Sequence, residues 1–302
     1  MTKCEAISGQ DNAAPAIVRR GTLKSSFTVD RISPALGAEV ANVDLSTPLD
    51  DDTVTALREA LVEHKVLVFR DQDITPAQHI ALARRFGELE VHPALPHHPD
   101  HPELVLLGGD SKRPARENGY HSDVSWREIP SMASMLRCVE CPSIGGDTVW
   151  VNMALAYERL PEHRKRQIEG LYAVHDVLPA FGPEMTAEQR KLYPPAVHPV
   201  VRTHPESEEK ILFVNSAFVT HLANFRQSNP VRGAFESHSE KQDLLEYLYR
   251  QPAILEYQMR LRWKRNTIAF WDNRSTQHYA VQDYFPAVRR MMRATIIGDR
   301  PV

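Results

Sequence analysis

The sequence predicts an α+β fold, mainly β, in which a β-sandwich or jelly roll is flanked by helices. Three observations lead there. Beyond residue 100, eight short runs rich in aliphatic and aromatic residues, among them ELVLL, SMASMLRCVE, NTIAFWD and RRMMRATII, have the length and texture of strands. Helical periodicity is confined to a few segments around and between them. The composition, 42% hydrophobic and 25% charged over 302 residues, is that of a globular chain with material for one large core.

Residues 1–25 are polar and aperiodic and read as a loose tail, leaving 26–302 as a single domain. FTVDRIS and GAEVANVDL read as strands. Val54, Leu57 and Leu61 then recur at helical spacing in DDDTVTALREALVEH, and KVLVFR returns to β texture. TPAQHIALARRFG carries start and stop signals for a helix: Thr75 as cap, Pro76 at the first helical position, Gln78 closing a capping box and Gly87 at the end. The remaining strands are expected at DTVWVN, LYAVHDV, KILFVN and YQMRLRW, with helices at MALAYERL, EHRKRQIEGL and SEKQDLLEYLYR. Two stretches, the Pro-rich 178–198 and 216–238, are expected to be long loops of the kind used as lids or binding loops.

A formal net charge of −3 and a pI near 6.5 leave no footprint for nucleic acid or an anionic membrane, so a small molecule is the expected partner. The N-terminal stretch lacks the apolar core of a signal peptide, which gives a cytoplasmic expectation. Cys138 and Cys141 form a CVEC spacing without a second pair. On a strand they would face opposite ways, so neither zinc nor redox chemistry is assigned to them.

Chemistry concentrates at GYHSDVSW. In an extended chain His121 and Asp123 point the same way, and two histidines with one carboxylate can hold a metal on one face while leaving the other positions open. His278, in WDNRSTQHYAVQDY, is the candidate third ligand. By itself the tripeptide is weak evidence, and its more common reading is a capped turn with a surface histidine. Farther on, Arg289 and Arg293 share one face of a strand about 13 Å apart, together with Met291 and Ile297. Burying both would be costly without anionic partners, and a dicarboxylate would supply one. The other face, with Arg290, Met292, Ala294 and Ile296, is equally mixed, so alternation alone leaves the choice of inward face open.

The motifs GYHSDVSW, SIGGDTVWVNMALAYERLP, HPVVRTHP, WDNRSTQHYAVQDY and RRMMRATIIGDRP, in this order from about Phe27 to the C-terminus, resemble the taurine dioxygenase and 2,4-dichlorophenoxyacetate dioxygenase family of Fe(II)- and 2-oxoglutarate-dependent enzymes. The resemblance implies a double-stranded β-helix (jelly roll) core with iron on His121, Asp123 and His278. It implies that 2-oxoglutarate is held by Arg289, eleven residues after the last ligand, and by Thr148 of GGDT, and that Arg293 faces both cosubstrate and substrate anion. The activity implied is hydroxylation of a small organic anion by O2, with succinate and CO2 as coproducts and C–S or C–O cleavage where the hydroxylated carbon bears such a group. Related halogenases lack the carboxylate ligand, so the intact Asp123 points to oxygen insertion. A homo-oligomer, dimer or tetramer, is implied as well.

His92, opening HPALP, matches the histidine that binds sulfonate in taurine-cleaving members, with the backbone at Val124 as a further donor. Those members carry a tyrosine where this chain has Leu95 and an asparagine where it has Glu117, so a longer or more apolar acid, sulfonate or sulfate ester is expected rather than taurine. His97, His98 and His101 read as a solvated loop, and Trp126 as core. A non-oxidative metalloenzyme on the same site is one alternative, but it leaves Thr148 and Arg289 without a purpose; a ligand-binding protein that retains the site is another, told apart by whether succinate accumulates with turnover.

Overall fold

A computed structural model of the chain describes residues 27–109, 119–225 and 234–302. The expected tail, residues 1–25, lies outside them. In chain order the elements are β1 (Thr28–Arg31), β2 (Ala38–Ala41), α1 (Asp51–His64), β3 (Val66–Phe69), α2 (Pro76–Arg84), β4 (His97–His98), β5 (His101–Gly109), β6 (Ser131–Glu140) and β7 (Thr148–Asn152). They continue with α3 (Met153–Glu158), α4 (Glu162–Ile168), β8 (Tyr172–His175), α5 (Leu178–Phe181), α6 (Ala187–Leu192), β9 (Ala196–Pro199), β10 (Val201–Thr203), β11 (Lys210–Leu212) and β12 (Val219–Leu222). The last are α7 (Ala234–Tyr249), β13 (Gln258–Leu261), β14 (Ile268–Asp272), β15 (Thr276–Ala280) and β16 (Arg289–Ile297).

The helices form where local signals and burial agree. Asp50 caps α1 by accepting from the Thr53 N–H at 2.7 Å, and Leu57 and Leu61 bury one face. Each such leucine contributes about 1.5–3 kcal/mol on leaving water. Thr75 and Gln78 close the predicted capping box of α2, which ends at Arg84, three residues short of Gly87.

An eight-stranded sheet in the order β1-β2-β3-β14-β6-β16-β5-β4 forms the backbone of the fold, with a smaller sheet ordered β13-β7-β15. β14 explains how the two relate. Its residues alternate between two clusters: Ile268 and Phe270 pack under α1 and α2, while Ala269 and Trp271 pack with Trp150 of β7 and Met259 of β13. The large sheet is therefore covered on both faces, by helices on one side and by the smaller sheet on the other. That is why periodicity could not choose a face for β16. Arg289, Met291 and Arg293 are buried as the resemblance implied, but Ala294 and Ile296 are buried on the opposite face. Ile297, expected inward, is exposed, because the pairing with β6 shifts register between Ile296 and Ile297.

Three local expectations need correction. His97, His98 and His101 are half-buried in the β4–β5 pairing at the sheet edge, not in a loop. The Pro-rich stretch 178–198 folds into α5, α6 and β9, and the second expected loop contains β12 and the start of α7; residues 226–233 lie outside the described residues. Cys141 follows the end of β6, so its thiol meets that of Cys138 instead of facing away. Among the described residues no helix is long and apolar enough to cross a membrane.

Buried histidines give the fold an acid limit. His79 is fully buried with Nε2–H donating to the Met135 carbonyl at 3.2 Å, and burial pushes its pKa down to about 4. Burial likewise lowers His175 and His198. Below the ordinary histidine value of 6.5 the unfolded chain takes up protons that the folded chain refuses. The His79 contribution is then complete well above pH 6.5 and falls towards pH 4, by roughly 1.4 kcal/mol per pH unit, and His175 and His198 act in the same direction. Urea midpoints at pH 7 and pH 5 check this, and a flat profile would contradict it.

Candidate active site

The site forms where the chain passes from the large sheet to the small one. After Trp271 the WDNR turn leaves β14, held by the buried ion pair between Arg274 and Asp272, with Nη2 to Oδ2 at 2.6 Å. His204 adds a contact to the same Asp272 oxygen at 3.0 Å, and the Thr276 hydroxyl closes the turn on the Asp272 carbonyl at 2.7 Å. This fixes the start of β15 and thereby His278.

His121 meets His278 as an isolated antiparallel bridge. Its N–H donates to the His278 carbonyl at 3.1 Å, and the His278 N–H donates back at 2.8 Å. The strand expected over GYHSDVSW is this single bridge followed by a turn, so Asp123 reaches the histidines through the turn and not by strand alternation. The turn is held from both sides: Ser122 donates to the Thr276 carbonyl at 2.7 Å, and Ser131 donates to the Asp123 carbonyl at 2.9 Å. Val124 within it has φ of 56°, a conformation a β-branched residue adopts only where its surroundings impose it. Its N–H donates to no acceptor among the described residues.

The three ligand atoms lie within 4.8 Å of one another, with Asp123 Oδ1 at 3.8 Å from His121 Nε2 and 4.0 Å from His278 Nε2. His121 Nδ1–H donates to the Gly119 carbonyl at 2.8 Å, which leaves the Nε2 lone pair free for a metal. Burial pushes both imidazoles towards the neutral, ligating form, His278 to about 3. Burial would raise the Asp123 carboxyl, but the Arg293 guanidinium and the two imidazoles outweigh it and keep the group ionised. Two neutral nitrogens and one carboxylate oxygen are the donor set that suits non-haem Fe(II). It is the one such cluster among the described residues, which leaves His97, His98, His101 and the two cysteines outside any metal group.

Asn273, which sequence reasoning overlooked although it belongs to WDNR, organises the carboxylate. Its Oδ1 accepts from the Asp123 N–H at 3.2 Å and from Trp271 Nε1–H at 2.9 Å. Its Nδ2 donates to Ser134 Oγ at 3.0 Å, and Ser134 in turn donates to Asp123 Oδ2 at 2.8 Å. Asn273→Ala is expected to weaken Fe(II) binding by about 10–100-fold while the protein stays folded, as read by competition with a chelator.

Arg289 and Arg293 both point inward. Arg293 Nη1 donates to Asp123 Oδ1, the oxygen that also faces both histidines. Arg289 is 6% exposed and has no carboxylate partner among the described residues; its guanidinium lies 5.9 Å from the ring centre of Trp263, and its side-chain hydrogen bond runs from Nη2 to Thr148 Oγ1 at 3.3 Å. Thr148 Oγ1 also accepts from Trp263 Nε1–H at 2.9 Å. With both interactions made as acceptor, the threonine hydrogen is free to donate onward. A buried guanidinium beside a free hydroxyl donor is a cradle for a carboxylate.

His92 is buried, and its Nδ1 accepts from the backbone N–H groups of Ala94 and Leu95, each at 3.2 Å. The proton is thus on Nε2, a neutral donor, and burial keeps the pKa down at about 3. Around it lies an apolar cluster containing Val124, Trp126 and Phe218, with Phe181 packed against it. Trp126 is core, as expected, and meets the His92 ring edge-on at 6.1 Å. Leu95 is half-buried beside them, and Glu117 lies outside the described residues.

Comparison with known proteins places this geometry among relatives. The family described as taurine catabolism dioxygenase TauD, TfdA matches residues 28–295. An alpha-ketoglutarate-dependent sulfate ester dioxygenase of Pseudomonas putida is 36% identical over 286 residues, covering 91% of this chain and 90% of that protein. An alkylsulfatase of Acinetobacter baylyi is 34% identical, covering 89% and 84%. The crystal structure of a taurine dioxygenase from Burkholderia xenovorans superposes with a TM-score of 0.77 at 36% identity, covering 92% of this chain and 91% of that one.

Proposed function

The chain belongs to the taurine catabolism dioxygenase TauD, TfdA family, and on that premise we propose that this Fe(II)- and 2-oxoglutarate-dependent dioxygenase hydroxylates an organic anion with an apolar body, a sulfate ester before taurine. The observation that carries the reading is the convergence of His121, Asp123 and His278 beside a buried arginine that lacks a carboxylate. We read the two facing sheets as the halves of a double-stranded β-helix with the metal at their junction. A cytoplasmic location and association as a dimer or tetramer belong to the same proposal, and light scattering checks the latter.

When bound, Fe(II) and 2-oxoglutarate supply the oxidation: O2 is consumed, the keto acid becomes succinate and CO2, and the substrate gains a hydroxyl. The protein's part is binding and exclusion. Arg289 and the Thr148 hydroxyl hold the far carboxylate of 2-oxoglutarate in a charged, two-donor contact. His92 Nε2–H, the Val124 N–H and Arg293 are the donors for the substrate head group. The cluster of Val124, Trp126 and Phe218, with Leu95 nearby, covers an alkyl or aryl body and contains no carboxylate to pair with an ammonium group. Hydroxylation at the carbon bearing the sulfate oxygen gives an α-hydroxy sulfate, which expels hydrogen sulfate and leaves an aldehyde.

Anaerobic addition of Fe(II) and 2-oxoglutarate to the apo-protein is expected to give a weak visible charge-transfer band that needs both. A panel of alkyl sulfates, sulfonates and aryloxy acids then identifies the substrate by a band shift and, in air, by succinate formed in step with aldehyde and sulfate. No band in folded, iron-binding protein would overturn the reading, and a response to taurine alone would overturn the substrate class.

A further inference from the structure

We propose that Arg127 is a positioning residue that holds one wall of the substrate pocket in place by stacking between Trp126 and Tyr193. The proposal rests on the dioxygenase reading above and adds to it a determinant of substrate confinement that lies outside the donors already described. Arg127 follows the metal-bearing turn, and its guanidinium lies 4.9 Å from the ring centre of Trp126 and 4.9 Å from that of Tyr193. The two rings meet edge-on at 5.2 Å, so the cation is shared by a pair of aromatic walls.

Three separate parts of the chain are joined at this point. Glu90, two residues before His92, pairs with Arg127 Nη2 at 2.7 Å and is itself nearly buried, which fixes the guanidinium from the side of the head-group histidine. His198 Nε2–H donates to the Arg127 carbonyl at 2.8 Å and fixes the backbone. Tyr193 ends the segment that contains α5 and α6, and that segment covers the site. Its Phe181 lies 5.1 Å from the His92 ring and 6.2 Å from that of Phe218, and Gln189 donates to the Pro93 carbonyl at 3.2 Å.

Glu90, Trp126, Arg127 and Tyr193 also line a solvent-open groove of about 910 Å³. Because Trp126 touches His92 as well, the stack is the partition between that groove and the buried site. An apolar substrate body beside His92 would be held against this partition, and loosening it would let the body shift and water enter. The consequence falls on substrate KM and on the coupling of 2-oxoglutarate consumption to product, not on cosubstrate binding, since Arg289 and Thr148 make no contact with the stack.

Tyr193→Leu keeps apolar bulk but removes the π face. It is expected to raise KM for the organic substrate about 10-fold and to raise the 2-oxoglutarate consumed per product, with the 2-oxoglutarate dependence of the visible band unchanged. Tyr193→Phe keeps the π face and is expected to stay within about 2-fold of the parent. Arg127→Met combined with Glu90→Gln removes the cation without stranding a buried carboxylate and should reproduce Tyr193→Leu. In substrate-free protein, trypsin cleavage after Arg190 or Lys191, both exposed on α6, should be faster in Tyr193→Leu than in Tyr193→Phe. Equal behaviour of the Leu and Phe variants in KM, coupling and cleavage would overturn the proposal. A parent protein without 2-oxoglutarate turnover would overturn the dioxygenase reading instead, and the cleavage rates would still decide the role of Arg127.

Discussion

Replacing Asp123 with alanine is expected to abolish hydroxylation and to weaken Fe(II) binding by more than the 10–100-fold typical of losing a group that merely orients a ligand. Asp123 is the one anion of the triad, and its two oxygens are both engaged, Oδ2 by Ser134 and Oδ1 opposite the two histidines. Truncation also leaves Arg293 buried without its counter-charge, which costs about 3–5 kcal/mol in comparable buried pairs. The two effects separate in the double variant Asp123→Ala with Arg293→Met, which should recover thermal stability without recovering iron binding. Turnover retained by Asp123→Ala would remove this aspartate from the metal site.

Arg289→Ala is expected to raise the 2-oxoglutarate KM about 100-fold, in line with the loss of a charge-assisted contact worth up to about 3 kcal/mol. The expected effect on the apo-protein has the opposite sense. Burial lowers the Arg289 pKa, and its contact with Thr148 is a neutral hydroxyl at 3.3 Å, so the free protein carries a poorly compensated charge. Removing it should leave the melting temperature of the apo-protein unchanged or raised, while the stabilisation given by added 2-oxoglutarate disappears. A structural arginine would behave the other way, with a lower apo melting temperature and an unchanged cosubstrate requirement.

Most regular elements were legible because their signals are local. Thr75, Pro76 and Gln78 announce α2 within four residues, and the β texture of NTIAFWD gives β14. Alternation failed at β16 for a tertiary reason, since helices on one side and the smaller sheet on the other bury both of its faces. The residue types of the candidate metal cluster were legible, but the path of the chain through them was not. His121 is held by a single bridge, and Asp123 is delivered by a turn with Val124 at positive φ, which no propensity of Val would suggest. Ser134, Asn273 and Trp263 were missed because their roles depend on who faces them across the sheets. Arg127 and Tyr193 are 66 residues apart in sequence and become partners only once α5 and α6 fold over the site.

The bridge between His121 and His278 has a consequence for biosynthesis. Two ligands are made early and the third 157 residues later, so a growing chain holds no complete metal centre until β15 has been synthesised and has paired with the His121 segment. Iron loading therefore waits on the pairing of β15 with the His121 segment, and the same ligand set is brought together in the metal-free folded form. In that form Arg293 keeps the carboxylate of Asp123 neutralised. The yield of active enzyme in the cell should then follow iron supply after translation, and protein made under iron starvation should become active on later addition of Fe(II) without new synthesis.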